Sequence, residues 1–112
     1  MGREKIKEWF EENDFYELGI PKTQCLRCID TFYALGNIID MGDCVSKIDT
    51  EIIRREYYDV FRTLIILFEM MGVDSKEVFN EAYEKIPTFE GEILCGRFVE
   101  YECEVEKDDS DV

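Results

Sequence analysis

Glu56 and Asp59 stand three residues apart in a segment with helical patterning, so both carboxylates project from one face. Such a pair suits a hard cation: Mg²⁺ takes oxygen ligands, commonly one or two protein carboxylates, with substrate phosphates completing the shell. The neighbouring residues are those a nucleotide site would use. Tyr57 and Tyr58 lie inside the pair and could stack on a base, and Arg54, Arg55 and Arg62 flank it and could hold phosphates. Each also has a plainer role, since tyrosines at helical spacing commonly fill cores or interfaces. The arginines, for their part, can pair with Glu51, Glu56 and Asp59 one turn away. Composition removes other chemistries. Without histidine there is no imidazole base or triad, and the scattered glycines form no phosphate loop.

Cys25 and Cys28 form a C-x-x-C, but a zinc site needs a second pair of ligands and the chain has no second C-x-x-C. Cys25, Cys28, Phe32 and Leu35 recur at helical spacing, so both thiols are read as core residues. Cys25, Cys28, Cys44, Cys95 and Cys103 are odd in number and are expected to be free.

Four helices are expected to position these residues. The first spans about Arg3 to Asn13, with Ile6, Trp9 and Phe10 as a narrow apolar stripe. Asp14 to Ile20 reads as a linker. Pro21, whose missing N–H costs nothing at a first helical position, opens a second helix running to about Asp40. Residues 41–46 read as a loop. Asp49 or Thr50 caps a third helix ending at Gly72, and Asp74 or Ser75 caps a fourth that stops before Pro87. From Glu92 to Tyr101 the period changes to that of two short strands about a glycine turn, a hairpin or arm. Leu64 to Phe68 is apolar on every face of its helix and asks for burial all round. A chain of this size can hardly cover it alone, so a helix-bundle dimer or tetramer is expected.

The register of these residues resembles the MazG-like all-α nucleoside triphosphate pyrophosphohydrolases, in the short single-domain form common in phages. The resemblance runs from about Ile6 to Val99. Ile6-Lys7-Glu8-Trp9 is similar to the family's opening helix, and Pro21-Lys22-Thr23-Gln24 to the lead into its first catalytic helix. Glu56-Tyr57-Tyr58-Asp59-Val60 falls on its E-x-x-D, and Met71-Gly72-Val73-Asp74 on the turn that follows. Ala82-Tyr83-Glu84-Lys85-Ile86 and Gly96-Arg97-Phe98-Val99 resemble the closing helix and C-terminal extension. The resemblance implies a four-helix MazG-like bundle, an obligate oligomer, and Mg²⁺-dependent splitting of a nucleoside triphosphate into monophosphate and pyrophosphate. Glu56 and Asp59 would be its metal ligands. On the preceding helix the chain departs from the pattern. The family's E-x-x-E falls on Thr31 and Ala34, and Asp30, the third candidate ligand, sits one residue earlier and about 100° round the helix. Where family members carry a basic stretch after the last helix, this chain has Pro87-Thr88-Phe89-Glu90-Gly91. Catalysis of that kind rests on several metal ions that clamp phosphates and generate hydroxide. The resemblance with these departures implies a bundle that has lost turnover and needs no cofactor.

Net charge −14 argues against binding a nucleic-acid backbone, which needs Lys and Arg to displace counterions. It fits either a solvated surface that keeps the chain soluble or one that imitates a phosphate backbone and occupies a basic groove on another protein. Glu77, Glu81 and Glu84 at helical spacing, with Glu104, Glu106, Asp108 and Asp109 of a tail over 102–112, would supply the second. Six of those eleven tail residues are acidic, so the tail is expected to be disordered behind a helical domain over 1–101. No apolar run is long enough to span a membrane, and Arg3, Lys5 and Lys7 precede Glu11 and Glu12 rather than an apolar leader. A cytoplasmic protein is expected. The function expected is that of an inhibitor or adaptor of a basic nucleic-acid-binding protein. The alternatives are the Mg²⁺-dependent hydrolase with Glu56, Asp59 and Asp30 as ligands, and a nucleotide binder through Tyr57, Arg55 and Arg62.

Overall fold

A computed structural model describes residues 2–44 and 50–101. In chain order these form α1 (Gly2–Glu12), α2 (Phe15–Leu18), α3 (Pro21–Cys44), α4 (Thr50–Met70) and α5 (Ser75–Lys85). A 3₁₀ turn (Ile86–Thr88) and strands β1 (Gly91–Leu94) and β2 (Arg97–Glu100) follow. The chain is mostly helical with a small antiparallel hairpin near its C-terminus, as the patterning predicts. It divides into two compact units after Lys76.

In the first unit α3 and α4 pack through matching seams. α3 buries Cys28, Thr31 and Leu35, with Gln24 and Ile38 half-buried on the same stripe. α4 buries Val60 and Thr63, with Ile53, Glu56 and Leu67 half-buried. Both stripes alternate steps of three and four residues, the spacing that keeps one seam facing a partner helix. Gln24 Nε2 donates to the Thr63 carbonyl at 3.0 Å, and the Thr31 and Thr63 hydroxyls meet at 3.3 Å. Early α3 therefore lies beside late α4, an antiparallel helical hairpin.

The structure corrects three expectations. Cys25 and Phe32 are exposed, unlike Cys28 and Leu35, because the seam runs through Gln24, Cys28 and Thr31. The stretch 14–20 is not all linker. Asp14 takes a left-handed φ of 58°, which Asp tolerates better than most residues, and the chain turns into α2. α3 continues to Cys44, so the loop expected from residue 41 does not begin there. One glycine inside a helix costs only about 1 kcal/mol, which the surrounding residues overcome at Gly42. Leu64 to Phe68 is half-buried in the single chain. The candidate cap Asp49 and the rest of that loop, 45–46, lie outside the described residues, as does the tail 102–112 with Glu104, Glu106, Asp108 and Asp109.

α1 and α2 close on an aromatic cluster. Phe10 is fully buried, its ring 5.6 Å from Phe15 and 4.9 Å from Tyr16, and Trp9 stands edge-on to Phe15 at 4.9 Å. Offset and edge-to-face rings are the favoured aromatic arrangements. After α4, Gly72 takes φ +74° and ends the helix as expected, and Asp74 Oδ1 accepts the Lys76 N–H at 3.0 Å to cap α5.

In the second unit β1 pairs β2 from Gly91–Glu100 to Leu94–Arg97. Cys95 and Gly96 both have positive φ, 52° and 84°, as a two-residue type I′ turn requires. The Tyr101 N–H donating to the Glu90 carbonyl at 2.8 Å extends the ladder by one rung.

Candidate functional site

The Glu56–Asp59 pair sits on the first half of α4, at the edge of its seam with α3. Glu56 and Asp59 are both half-buried. Asp59 Oδ1 accepts from Arg62 Nη2 at 3.1 Å, with the two side chains 35% and 44% exposed, so this is a surface pair of small energetic weight. The Arg62 guanidinium also lies over the Tyr58 ring, 5.9 Å from its centroid. Arg62 is thus engaged by two neighbours, while Arg55 is exposed and Tyr57 is 45% exposed with its ring tilted toward Phe61.

Facing this stretch, α3 offers hydroxyls rather than carboxylates. Thr31 Oγ1 donates to the Cys28 carbonyl at 2.7 Å and lies 3.3 Å from Thr63 Oγ1. Thr63 Oγ1 lies 3.1 Å from the Asp59 carbonyl and 3.0 Å from that of Val60. Each hydroxyl has one proton, and with the Thr31 proton on Cys28, Thr31 Oγ1 remains an acceptor for Thr63. Both threonines are buried and satisfied within the seam. Ala34 and Asp30 are exposed on α3, away from that stripe. Among the described residues no group of three or more Cys, Asp or Glu side chains is placed to hold a metal ion. Glu56 and Asp59 thus share one helix face with no third carboxylate or thiolate of the described residues joining them.

Glu77, Glu81 and Glu84 are exposed on α5. Lys85 Nζ meets Glu81 Oε2 at 2.8 Å, and that hydrogen bond lowers the Glu81 pKa and raises that of Lys85.

One cluster was not foreseen. Glu69, near the end of α4, is 4% exposed. It accepts from Arg3 Nε at 3.0 Å and from the Tyr16 hydroxyl, tying α1 and α2 to α4. The available signal was a lone acid after the apolar run Leu64 to Phe68. A buried carboxylate survives only with partners. The hydrogen bond to Glu69, then burial, push the Tyr16 hydroxyl from 10.0 up to about 12. Below pH 10 the hydroxyl is protonated in folded and unfolded chains alike. Between 10 and 12 the unfolded chain releases the proton first, so stability falls as pH rises through that window. Glu69→Gln is expected to bring the Tyr16 titration back toward 10, seen as one tyrosine of six in the difference between wild-type and variant tyrosinate absorbance. Superimposable titrations would remove the Tyr16–Glu69 bond from the folded state.

No family model, no curated protein and no solved structure matches the chain.

Proposed function

We propose that this chain is a MazG-like four-helix protein whose carboxylate set has shrunk to one helix, and that it works by binding. Its partner in this reading is a basic, nucleic-acid-binding protein, engaged through the acidic surface as an inhibitor or adaptor. The reading places it in the cytoplasm, that of a bacterial host if phage-encoded, as a self-associating protein without a required cofactor. The observation that carries it is Thr31, one of the two positions where a hydrolase of that family would need its second pair of carboxylates, buried with its hydroxyl 3.3 Å from that of Thr63. Net charge −14 and the exposed Glu77, Glu81 and Glu84 support the choice of partner.

Charge complementarity chiefly raises association rates and selects partners, and it is screened over about 8–10 Å at physiological salt. Reversing Glu77, Glu81 and Glu84 to Lys is expected to weaken capture of the basic partner about tenfold at low salt while leaving the helices intact, since exposed charges add little stability. The measurement is a pull-down from host lysate at low and high salt, with DNA as competitor. A partner indifferent to salt and DNA, or none, returns the charge to solubility.

A second reading keeps nucleotide chemistry, either as a Mg²⁺-dependent triphosphate pyrophosphohydrolase or as a binder without turnover. The half-buried Glu56 beside the exposed Tyr57 ring favours it. Incubation with each NTP and dNTP plus Mg²⁺ or Mn²⁺ separates the two readings. Metal-dependent pyrophosphate release that Glu56→Gln abolishes would establish the enzyme.

A further inference from the structure

α3 carries two seams. Beside the stripe that meets α4, Cys25, Ile29, Phe32, Gly36 and Ile39 repeat the same alternation of four and three residues, one residue later and about 100° round the helix. These positions are open: Ile29 is 56% exposed, Phe32 62% and Ile39 39%, and Cys25 is exposed too. α4 repeats the device one residue after Glu56, Val60, Thr63 and Leu67. There Tyr57 is 45% and Phe61 50% exposed, and Leu64 and Phe68 are half-buried. In an antiparallel pair, an advance of one residue turns the two helices in opposite senses as seen from one end. Both second seams therefore come up on the same side of the hairpin, as a two-helix apolar platform.

We infer that this platform is the contact between two copies of this chain, hairpin on hairpin, forming a four-helix core. The inference rests on the self-association proposed above and assigns it a surface. A seam of alternating three and four steps is the pattern that meets another helix, and here two such seams lie side by side, self-complementary about a two-fold axis. Charge identifies the occupant. Neither second seam holds an Asp or Glu, and Arg54 at the start of the α4 seam is their one Lys or Arg, whereas two chains of charge −14 would repel through most other faces, and a basic partner would be drawn to the acidic ones.

Area agrees with a dimer. A wholly buried aromatic side chain removes roughly 150–250 Å² from water, so the exposed parts of Phe32, Tyr57 and Phe61 supply on the order of 250–400 Å². Ile29, Ile39 and the flanking Leu26 and Tyr33 bring the face close to the ~800 Å² per partner of a standard interface. Gly36 points the same way. A mid-helix glycine weakens a helix relative to alanine, and nothing lies within 4 Å of where its Cβ would be. No contact among the described residues accounts for it; close approach of a partner helix does.

The test combines sedimentation of the wild type at micromolar concentration with mass-mapped thiol labelling and three variants. The wild type is expected to be a dimer in which Cys25, exposed in the single chain, is labelled several-fold more slowly than Cys95 on the hairpin turn. Ile29→Lys and Phe32→Lys are expected to yield monomer or lose the fold, while Ala34→Lys, on the other flank of α3, stays dimeric. The labelling contrast needs no variant, so unfolding of the lysine variants leaves the test decisive. A wild-type monomer overturns both the self-association and the platform. A dimer with Cys25 labelled as fast as Cys95, or one that Phe32→Lys leaves intact, overturns the platform alone.

Discussion

Phe10→Ala is expected to lower the melting temperature by roughly 15–30 °C. A buried Phe→Ala change costs about 3–5 kcal/mol, and each kcal/mol lowers the melting temperature by several degrees in a domain this small. Phe10 is fully buried, and its ring touches those of Trp9, Phe15 and Tyr16, so its loss leaves a cavity lined by three aromatic faces. The first unit has few substitutes. Its other buried apolar residues, Cys28, Leu35 and Val60, lie in the seam between α3 and α4 and cannot move into that space. The loss also frees α2, whose Tyr16 reaches Glu69, so the hydrogen bond to Glu69 should go with the packing. Calorimetry or thermal circular dichroism reads the effect. A fall of only a few degrees in a single transition would mean that the cluster repacks and that Phe10 is not the anchor of α1 and α2.

The helices were legible because their signals are local. Pro21 opens α3, Gly72 ends α4 and Asp74 caps α5 through chemistry contained within a few residues. The I′ turn was legible through Gly96, although Cys95, not a usual left-handed residue, takes the other positive φ. What escaped reading depends on distant partners. Glu69 is buried only because Arg3 and Tyr16, 66 and 53 residues earlier, arrive beside it. Cys25 and Cys28 share a motif, yet one faces solvent and the other α4, because two apolar stripes overlap on α3 and its sequence does not say which one α4 takes. Within the candidate site, the cofacial placement of Glu56 and Asp59 was readable from spacing. The engagement of Arg62 by both Asp59 and Tyr58, and of Thr31 by Thr63, was not.

Thr31→Glu combined with Ala34→Glu is expected to make the stability of this protein depend on divalent metal. If the proposed register of α3 on α4 is right, the two new carboxylates stand opposite Glu56 and Asp59. Without metal the change should be costly. Thr31 is 9% exposed, so its replacement buries a carboxylate in the seam and breaks the hydroxyl contact with Thr63, a loss of about 2–4 kcal/mol. Mn²⁺ or Mg²⁺ would then neutralise the cluster, and a ligand at a hundredfold its dissociation constant restores about 2.7 kcal/mol. The double variant should therefore melt well below the wild type in chelator and recover most of the difference in metal, while the wild type shifts little between the two. Adding Glu56→Gln should remove the recovery, because it deletes a ligand from the opposite helix. If the double variant melts at one temperature with and without metal, the four positions do not converge and the MazG-like register is wrong, whatever the wild type binds. If metal restores it, Thr31 and Ala34 mark where a metal site was given up, since a threonine satisfied within the seam needs no ion, whereas a carboxylate buried there would.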